Sequence, residues 1–136
     1  MNKCAMCGNP IAKYAKKYCS NLCQSNYTYQ KYILNWKKGE VDGNRGIKAK
    51  NMSGHIIRYI IEKYNMKCAK CGWNELNPIT LRAALEVDHI DGNSENNSED
   101  NLILLCPNCH SITQNYKNLN KGHGRAWRRE KYVKIV

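Results

Sequence analysis

"EVDHIDGNSENNSEDNLILLCPNCH", residues 86–110, carries an Asp-His pair (Asp88, His89) at one end and a Cys-x-x-Cys-His (Cys106, Cys109, His110) at the other. Apolar residues up to Val87–Ile90 and again in "NLILL" read as two short strands, and "GNSENNSED" between them reads as a polar turn region. The cysteines of "CPNC" need partners, and "CAKCGW" supplies Cys68 and Cys71, with 34 residues (72–105) lying between the two knuckles. A single zinc holding both knuckles makes that insert a folded excursion. The expected unit is two antiparallel strands packed on a helix, with zinc at the base and a short helix beyond Cys109 carrying "HSITQNYKNL". Zinc binding is itself folding free energy for a unit this small.

Working outward, Ile56, Ile57, Ile60, Ile61 and Tyr64 recur at helical spacing while Arg58, Glu62 and Lys63 take the other side, so a core helix is expected from Ser53. Upstream, "KGEVDGNRGIKAKNMSG" is polar and glycine-containing and reads as a linker. The N-terminal stretch holds Cys4 and Cys7 before Gly8, then Cys19 and Cys23 flanking Ser20, a good N-cap. A helix over 21–38, with Tyr27, Tyr29, Ile33 and Trp36 as its apolar surface, is expected to end at Gly39. Four thiolates, two from a knuckle and two from a helix start, suit a tetrahedral structural zinc that leaves no position for a substrate. The chain thus divides into a finger and helix (1–39), a linker (40–52), a second zinc-framed core (53–120) and a basic tail (121–136).

The eight cysteines fall as four close pairs, and the chain opens "MNKCAMCGNP" with no apolar signal run. That pattern fits metal ligation in a reducing compartment rather than disulfides. No apolar run is long enough for a membrane helix, so no membrane partner is expected. With 136 residues there is room for one ordinary domain or two very small ones. The net charge of +11, from 22 basic and 11 acidic residues, favours a polyanionic partner. Seven of the acids lie between Gly72 and Leu105 against a single Arg82, whereas 110–136 carries seven Lys or Arg against Glu130. An acidic island inside a basic chain suits a protein that brings a divalent cation to a phosphate.

Asp88 and His110 offer a carboxylate and an imidazole, a reasonable pair for such a cation. His89, next to Asp88 and on the opposite side of an ideal strand, is placed to activate water from the far side of a phosphate.

"VDHIDGN", "DNLILLCPNCH" and the framing "CAKC" resemble the HNH endonucleases, over roughly 53–120, and small bacteriophage members in particular. The resemblance implies a small α+β fold, a zinc-stabilised ββα-metal core of treble-clef-like type, here preceded by a four-cysteine finger. It implies His89 as general base, Asp88 and His110 as ligands of a catalytic magnesium, manganese or other divalent ion, and Asn101 as the middle asparagine that holds the loop and the base. Asn93, Asn96 and Asn97 are rivals for that last role. Two structural zincs, at Cys4, Cys7, Cys19 and Cys23 and at Cys68, Cys71, Cys106 and Cys109, complete the metal set. The implied activity is hydrolysis of DNA to 5′-phosphate and 3′-hydroxyl ends in the cytoplasm of a phage-infected cell. Nicking would need one copy and double-strand cleavage two, so monomer and homodimer both stay open. Arg125, Arg128, Arg129, Lys131 and Lys117 are candidate phosphate contacts. The alternative is a zinc-finger DNA-binding protein without chemistry, which would need only the charge and both four-cysteine sites; a protein-interaction adaptor, which would need neither Asp88 nor His89, is the third reading.

Overall fold

The computed structural model describes residues 2–46 and 51–120, and the chain forms two compact units, Met1–Val41 and Asp42–Val136. In the first, the Cys4–Cys7 knuckle closes through the Gly8 N–H donating to the Cys4 carbonyl at 2.9 Å, a turn that puts Gly8 at φ +74°. Ser20 caps the following helix by accepting from the Cys23 N–H at 3.2 Å. Helix α1 (Asn21–Lys37) buries Tyr29, Ile33 and Trp36, one stripe at i, i+4, i+7 spacing. Gly39, at φ +77°, lies just past its end as expected.

In the second unit, helix α2 (Gly54–Lys63) starts at Ser53, whose hydroxyl accepts from the His55 N–H. Ile56 and Ile60, one turn apart, are fully buried. Strands β1 (Glu86–His89) and β2 (Leu102–Leu105) pair antiparallel, Glu86 opposite Leu105 and His89 opposite Leu102. Because strand side chains alternate, this register puts Val87, His89, Leu102 and Leu104 on one face and Glu86, Asp88, Ile103 and Leu105 on the other. Leu102 and Leu104 are buried with the α2 isoleucines. Leu105 and Ile103 instead join Cys68, Cys106, Cys109, Trp73 and Leu85. The Cys68–Cys71 knuckle is stitched to β2 by the Ala69 N–H on the Leu104 carbonyl at 2.8 Å.

Two expectations change. The helix after the second knuckle is α3 (Pro107–Ser111), so it begins inside the knuckle and places His110 near its end rather than its start. The reason is that the Cys106 thiolate is itself the N-cap, accepting from the Cys109 N–H, and Pro107 is pre-set for N1. The Thr113 hydroxyl and N–H both return to the His110 carbonyl, at 2.9 and 3.1 Å, closing the helix there, and "KNLN" forms a separate 3-10 turn. Secondly, part of the segment read as a linker is built into the second unit: Asn44 bridges Met52, and the Ser53 N–H donates to the Gly43 carbonyl at 2.8 Å. A Cβ on Gly43 would stand 2.8 Å from that of Asn97, so glycine alone permits this approach.

The loop from Ile90 to Asn101 is held by side-chain amides. Asp91 accepts from the Asn93 N–H, the Asn96 amide and the Asn101 amide, all within 2.9 Å. Asn101 also donates to the Asn96 carbonyl and accepts from the Asp91 N–H. Partial burial pushes the Asp91 carboxyl up, but the donors Asn96, Asn93 and Asn101 outweigh it and hold it below the usual carboxylate range.

Replacing Cys68 or Cys106 by Ser is expected to unfold the second unit, since each thiolate closes a long-range crosslink, while Cys4→Ser should cost one zinc and leave the second unit folded. Zinc content and far-UV circular dichroism of the three variants check this; Cys68→Ser with both zincs and a full melting transition would refute it. For Asp91, a depressed folded-state pKa means that its stabilisation is present above the unfolded value, about 3.9, and is lost as pH falls through the folded one. Protection factors of the amides in residues 90–101, corrected for the intrinsic pH dependence of exchange, should therefore fall in acid for the native chain, with Asp91→Asn already poorly protected at neutral pH and much less acid-sensitive.

Candidate metal-dependent nuclease site

Among the described residues two groups of four cysteines converge, Cys4, Cys7, Cys19 and Cys23, and Cys68, Cys71, Cys106 and Cys109, with all sulfurs of each group within 4.8 Å of one another. No pair is bonded as a disulfide. Adjacent sulfurs lie 3.4 to 3.7 Å apart, close to the edge of about 3.7 Å of a tetrahedron with Zn–S near 2.3 Å. Backbone N–H groups favour thiolates in both. The Cys7 N–H foremost, with those of Cys19 and Met6, holds Cys4 down at about 6 against burial. Burial raises Cys68, but the N–H groups of Cys106, Cys71 and Lys70 bring it to about 6. Cys109, by contrast, is pushed up to about 12 by burial and by the three sulfurs around it. Four sulfurs so crowded repel one another as thiolates, and a divalent cation at their centre removes that repulsion. Both clusters are consistent with structural zinc sites, and as closed Cys4 sets they have no open position for a substrate.

The second cluster fixes α3, and α3 brings His110 against the outer face of β1. The Asp88 Oδ1 is 3.5 Å from His110 Nε2, while Glu86, two residues back on the same strand face, has Oε2 2.8 Å from His110 Nδ1. With Nδ1–H donating to Glu86, the neutral ring aims its Nε2 lone pair towards Asp88. Two electron-rich atoms then face each other, an arrangement that a shared cation relieves. Neighbouring ligands of a hexacoordinate ion with bonds near 2.1 Å stand about 3 Å apart. Burial is the largest influence on the Asp88 carboxyl and raises its pKa, with the neighbouring imidazoles of His110 and His89 acting in the opposite sense. Tyr116 packs edge-on against His110, ring centroids 5.2 Å apart, and Lys117 lies 5.1 Å from the Tyr116 ring. This side chain is the one candidate phosphate contact within the described residues; Arg125, Arg128, Arg129 and Lys131 lie outside them.

His89 takes the other face of β1, as its adjacency to Asp88 requires. It lines an open cavity of about 560 Å³ together with Arg45, Asn51, Met52, Ile57 and Ser94. Its Nε2 is 2.8 Å from Asn97 Oδ1. The structure thus divides the task expected of Asn101. Asn101 has both amide N–H groups engaged, by Asp91 and the Asn96 carbonyl, and its oxygen on the Asp91 N–H, and so pins the loop, whereas Asn97, one of its rivals, makes the contact with the imidazole. The sequence reading passed over Glu86 and Arg45. For Glu86 the signal was there: two positions before Asp88 on a strand is the same face. Arg45 had none, since it approaches only through the strap formed by 42–46 and 51–53.

No helix among the described residues is long and apolar enough to cross a membrane. Residues 68–115 match the family of HNH endonucleases. The chain is similar to H-N-H endonuclease F-TflIV of Escherichia phage T5, 48% identical over 59 residues, which is 41% of this chain and 24% of the phage T5 protein. It therefore spans about a quarter of that relative's length. No solved structure matches the chain significantly. Sequence similarity, the β1–β2–α3 arrangement and the cysteine cluster that frames it agree: residues 68–115 are an HNH endonuclease domain, homologous to those of phage HNH nucleases.

Proposed function

We propose that the chain is a divalent-metal-dependent DNA endonuclease that hydrolyses phosphodiester bonds to 5′-phosphate and 3′-hydroxyl ends. The observation that carries the reading is the convergence of the Asp88 carboxylate and the His110 imidazole, 3.5 Å apart, at the strand end that also bears His89. Asp88 and His110 would hold the cation, and Glu86 keeps the His110 ring turned with Nε2 towards it. A divalent ion there supplies charge neutralisation for the phosphate under attack. His89 takes one proton from a water molecule, the water oxygen bonds to phosphorus, and the bond from phosphorus to the 3′-oxygen breaks, that oxygen taking a proton from solvent to become the 3′-hydroxyl. Asn101 keeps the loop in place, and the net positive charge of +11 suits a polyanionic substrate.

A gel assay on plasmid DNA distinguishes this from a zinc-finger protein that only binds. Nicked or linear product is expected with magnesium or manganese and none in EDTA, whereas a metal-independent shift without cleavage would favour the binding protein. The two histidines should fail differently. His89→Ala should lose at least 100-fold in single-turnover rate, with both zincs and DNA binding retained. His110→Ala should weaken cation affinity and regain part of its rate at high manganese. Rescue of His89→Ala alone would exchange the two roles, and undiminished rates in both variants would move the chemistry elsewhere.

Asp88 carries a stability signature as well. Its raised pKa means that its contribution to stability is full below the unfolded value and is lost as pH rises through the folded one. The zinc-loaded, magnesium-free domain should therefore melt lower at neutral pH than in the Asp88→Asn variant, which should be more stable yet inactive. Melting curves against pH with and without magnesium check this; magnesium should stabilise the native chain and leave Asp88→Asn unmoved.

A further inference from the structure

Resting on the reading of His89 as general base, we infer that Asp42, Asn44 and Asn97 form a relay of oriented polar groups that sets both the direction and the tautomer of His89, so that the catalytic unit extends upstream to residue 42. Each link fixes the next. The Asp42 carboxylate accepts from the Asn44 N–H at 2.9 Å and from the Asn44 side-chain amide at 3.0 Å. A carboxylate of this kind only accepts, so the NH2 of Asn44 faces Asp42 and its Oδ1 faces away. That oxygen receives the Asn97 amide at 3.2 Å, and the Asp42 carbonyl, another pure acceptor, receives it at 3.3 Å.

Both acceptors lie on one side of Asn97, which turns its NH2 towards the strap and its oxygen towards His89. An amide oxygen cannot donate. The 2.8 Å contact between Asn97 Oδ1 and His89 Nε2 therefore requires the proton on Nε2, and the lone pair left to take a proton from water is that of Nδ1. When Nδ1 takes that proton, the positive ring keeps its Nε2–H on the Asn97 oxygen, a charge-assisted bond stronger than the neutral one.

Asn97 is buried, at 3% exposure, and is held from three sides. Gly43 lets the strap approach it, with the place of a Cβ only 2.8 Å from the Asn97 Cβ and 3.1 Å from the Ile56 Cδ1. Asn101 holds the loop just before it through the Asn96 carbonyl at 2.8 Å. In this arrangement Asn97 is a positioning residue and Asp42 and Asn44 are its supports. The catalytic geometry thus depends on a strap that begins 26 residues before the match to the family, at 68.

The test is nitrogen-15 NMR of the histidine side chains in the full, zinc-loaded chain, at a pH where His89 is neutral, alongside single-turnover cleavage of plasmid. Native His89 should give the signature of a proton on Nε2 and a bare Nδ1. Asn97→Ala should move both ring nitrogens towards an average of tautomers and slow cleavage about 10–100-fold, with no rescue by manganese, because neither Asp88 nor His110 is touched. Asn97→Asp retains an acceptor and should keep the Nε2–H signature. Asp42→Ala, at the exposed end of the relay, should shift the His89 signals in the same direction as Asn97→Ala but less. A native His89 protonated on Nδ1 would overturn the relay whatever the variants do, as would unchanged signals and rate in a folded Asn97→Ala. Failure of the base reading looks different: His89→Ala would then cleave at the native rate, whichever nitrogen carries the proton.

Discussion

The four sulfurs of Cys68, Cys71, Cys106 and Cys109 are the constraint on which the second unit depends. They join chain segments separated by the whole β-hairpin, and the elements that flank them are short: two strands of four residues and a helix of five. Elements so short cannot persist on propensity or on a few buried side chains. The thiolates also do local work. Cys106 caps α3, so a sulfur of the cysteine cluster starts the helix that carries His110. Cys109 of the cluster and His110 of the candidate pair are thus consecutive in sequence and share a single turn.

Strand β1 then separates two jobs by its two faces. Glu86 and Asp88 look towards α3 and His110, whereas Val87 and His89 look towards α2 and the strap. The Asp88–His110 pair and the His89 imidazole are kept apart in this way, although Asp88 and His89 are neighbours. Each imidazole is oriented through its other nitrogen, His110 by a carboxylate and His89 by an amide. The difference has chemical sense: a carboxylate partner strengthens the ring as a ligand, and an amide oxygen keeps a proton in place without adding a full charge beside the site.

The asparagine-rich loop is a second frame for the same site. Its side chains take the part that a regular ladder plays elsewhere, closing on Asp91 and on backbone carbonyls. Asn101 and Asn97 differ only in what they reach: one fastens the loop to itself, the other fastens it to His89. The burial of Asp88 raises the energy of its ionised form, so this face of β1 is less stable in itself than a neutral side chain would make it.

The sequence by itself determined the two cysteine clusters, the capped helices α1 and α2, the pairing of the two strands, and Asp88, His89 and His110 as the chemical candidates. Each of these follows from short-range spacing, which ties identity to local geometry: a Cys-x-x-Cys turn, an i, i+4 stripe, an alternation of two. Only the tertiary structure decided that Asn97 rather than Asn101 meets His89, that Glu86 contacts His110, that α3 begins on Cys106 of the cysteine cluster, and that Asp42 and Asn44 reach Asn97. The Asn97 contact depends on how the loop closes, and its amide orientation on acceptors more than 50 residues upstream. Four asparagines in one loop are equivalent to a pattern reader, since each offers the same donor and acceptor. Long-range hydrogen bonding distinguishes them, and no local period records it.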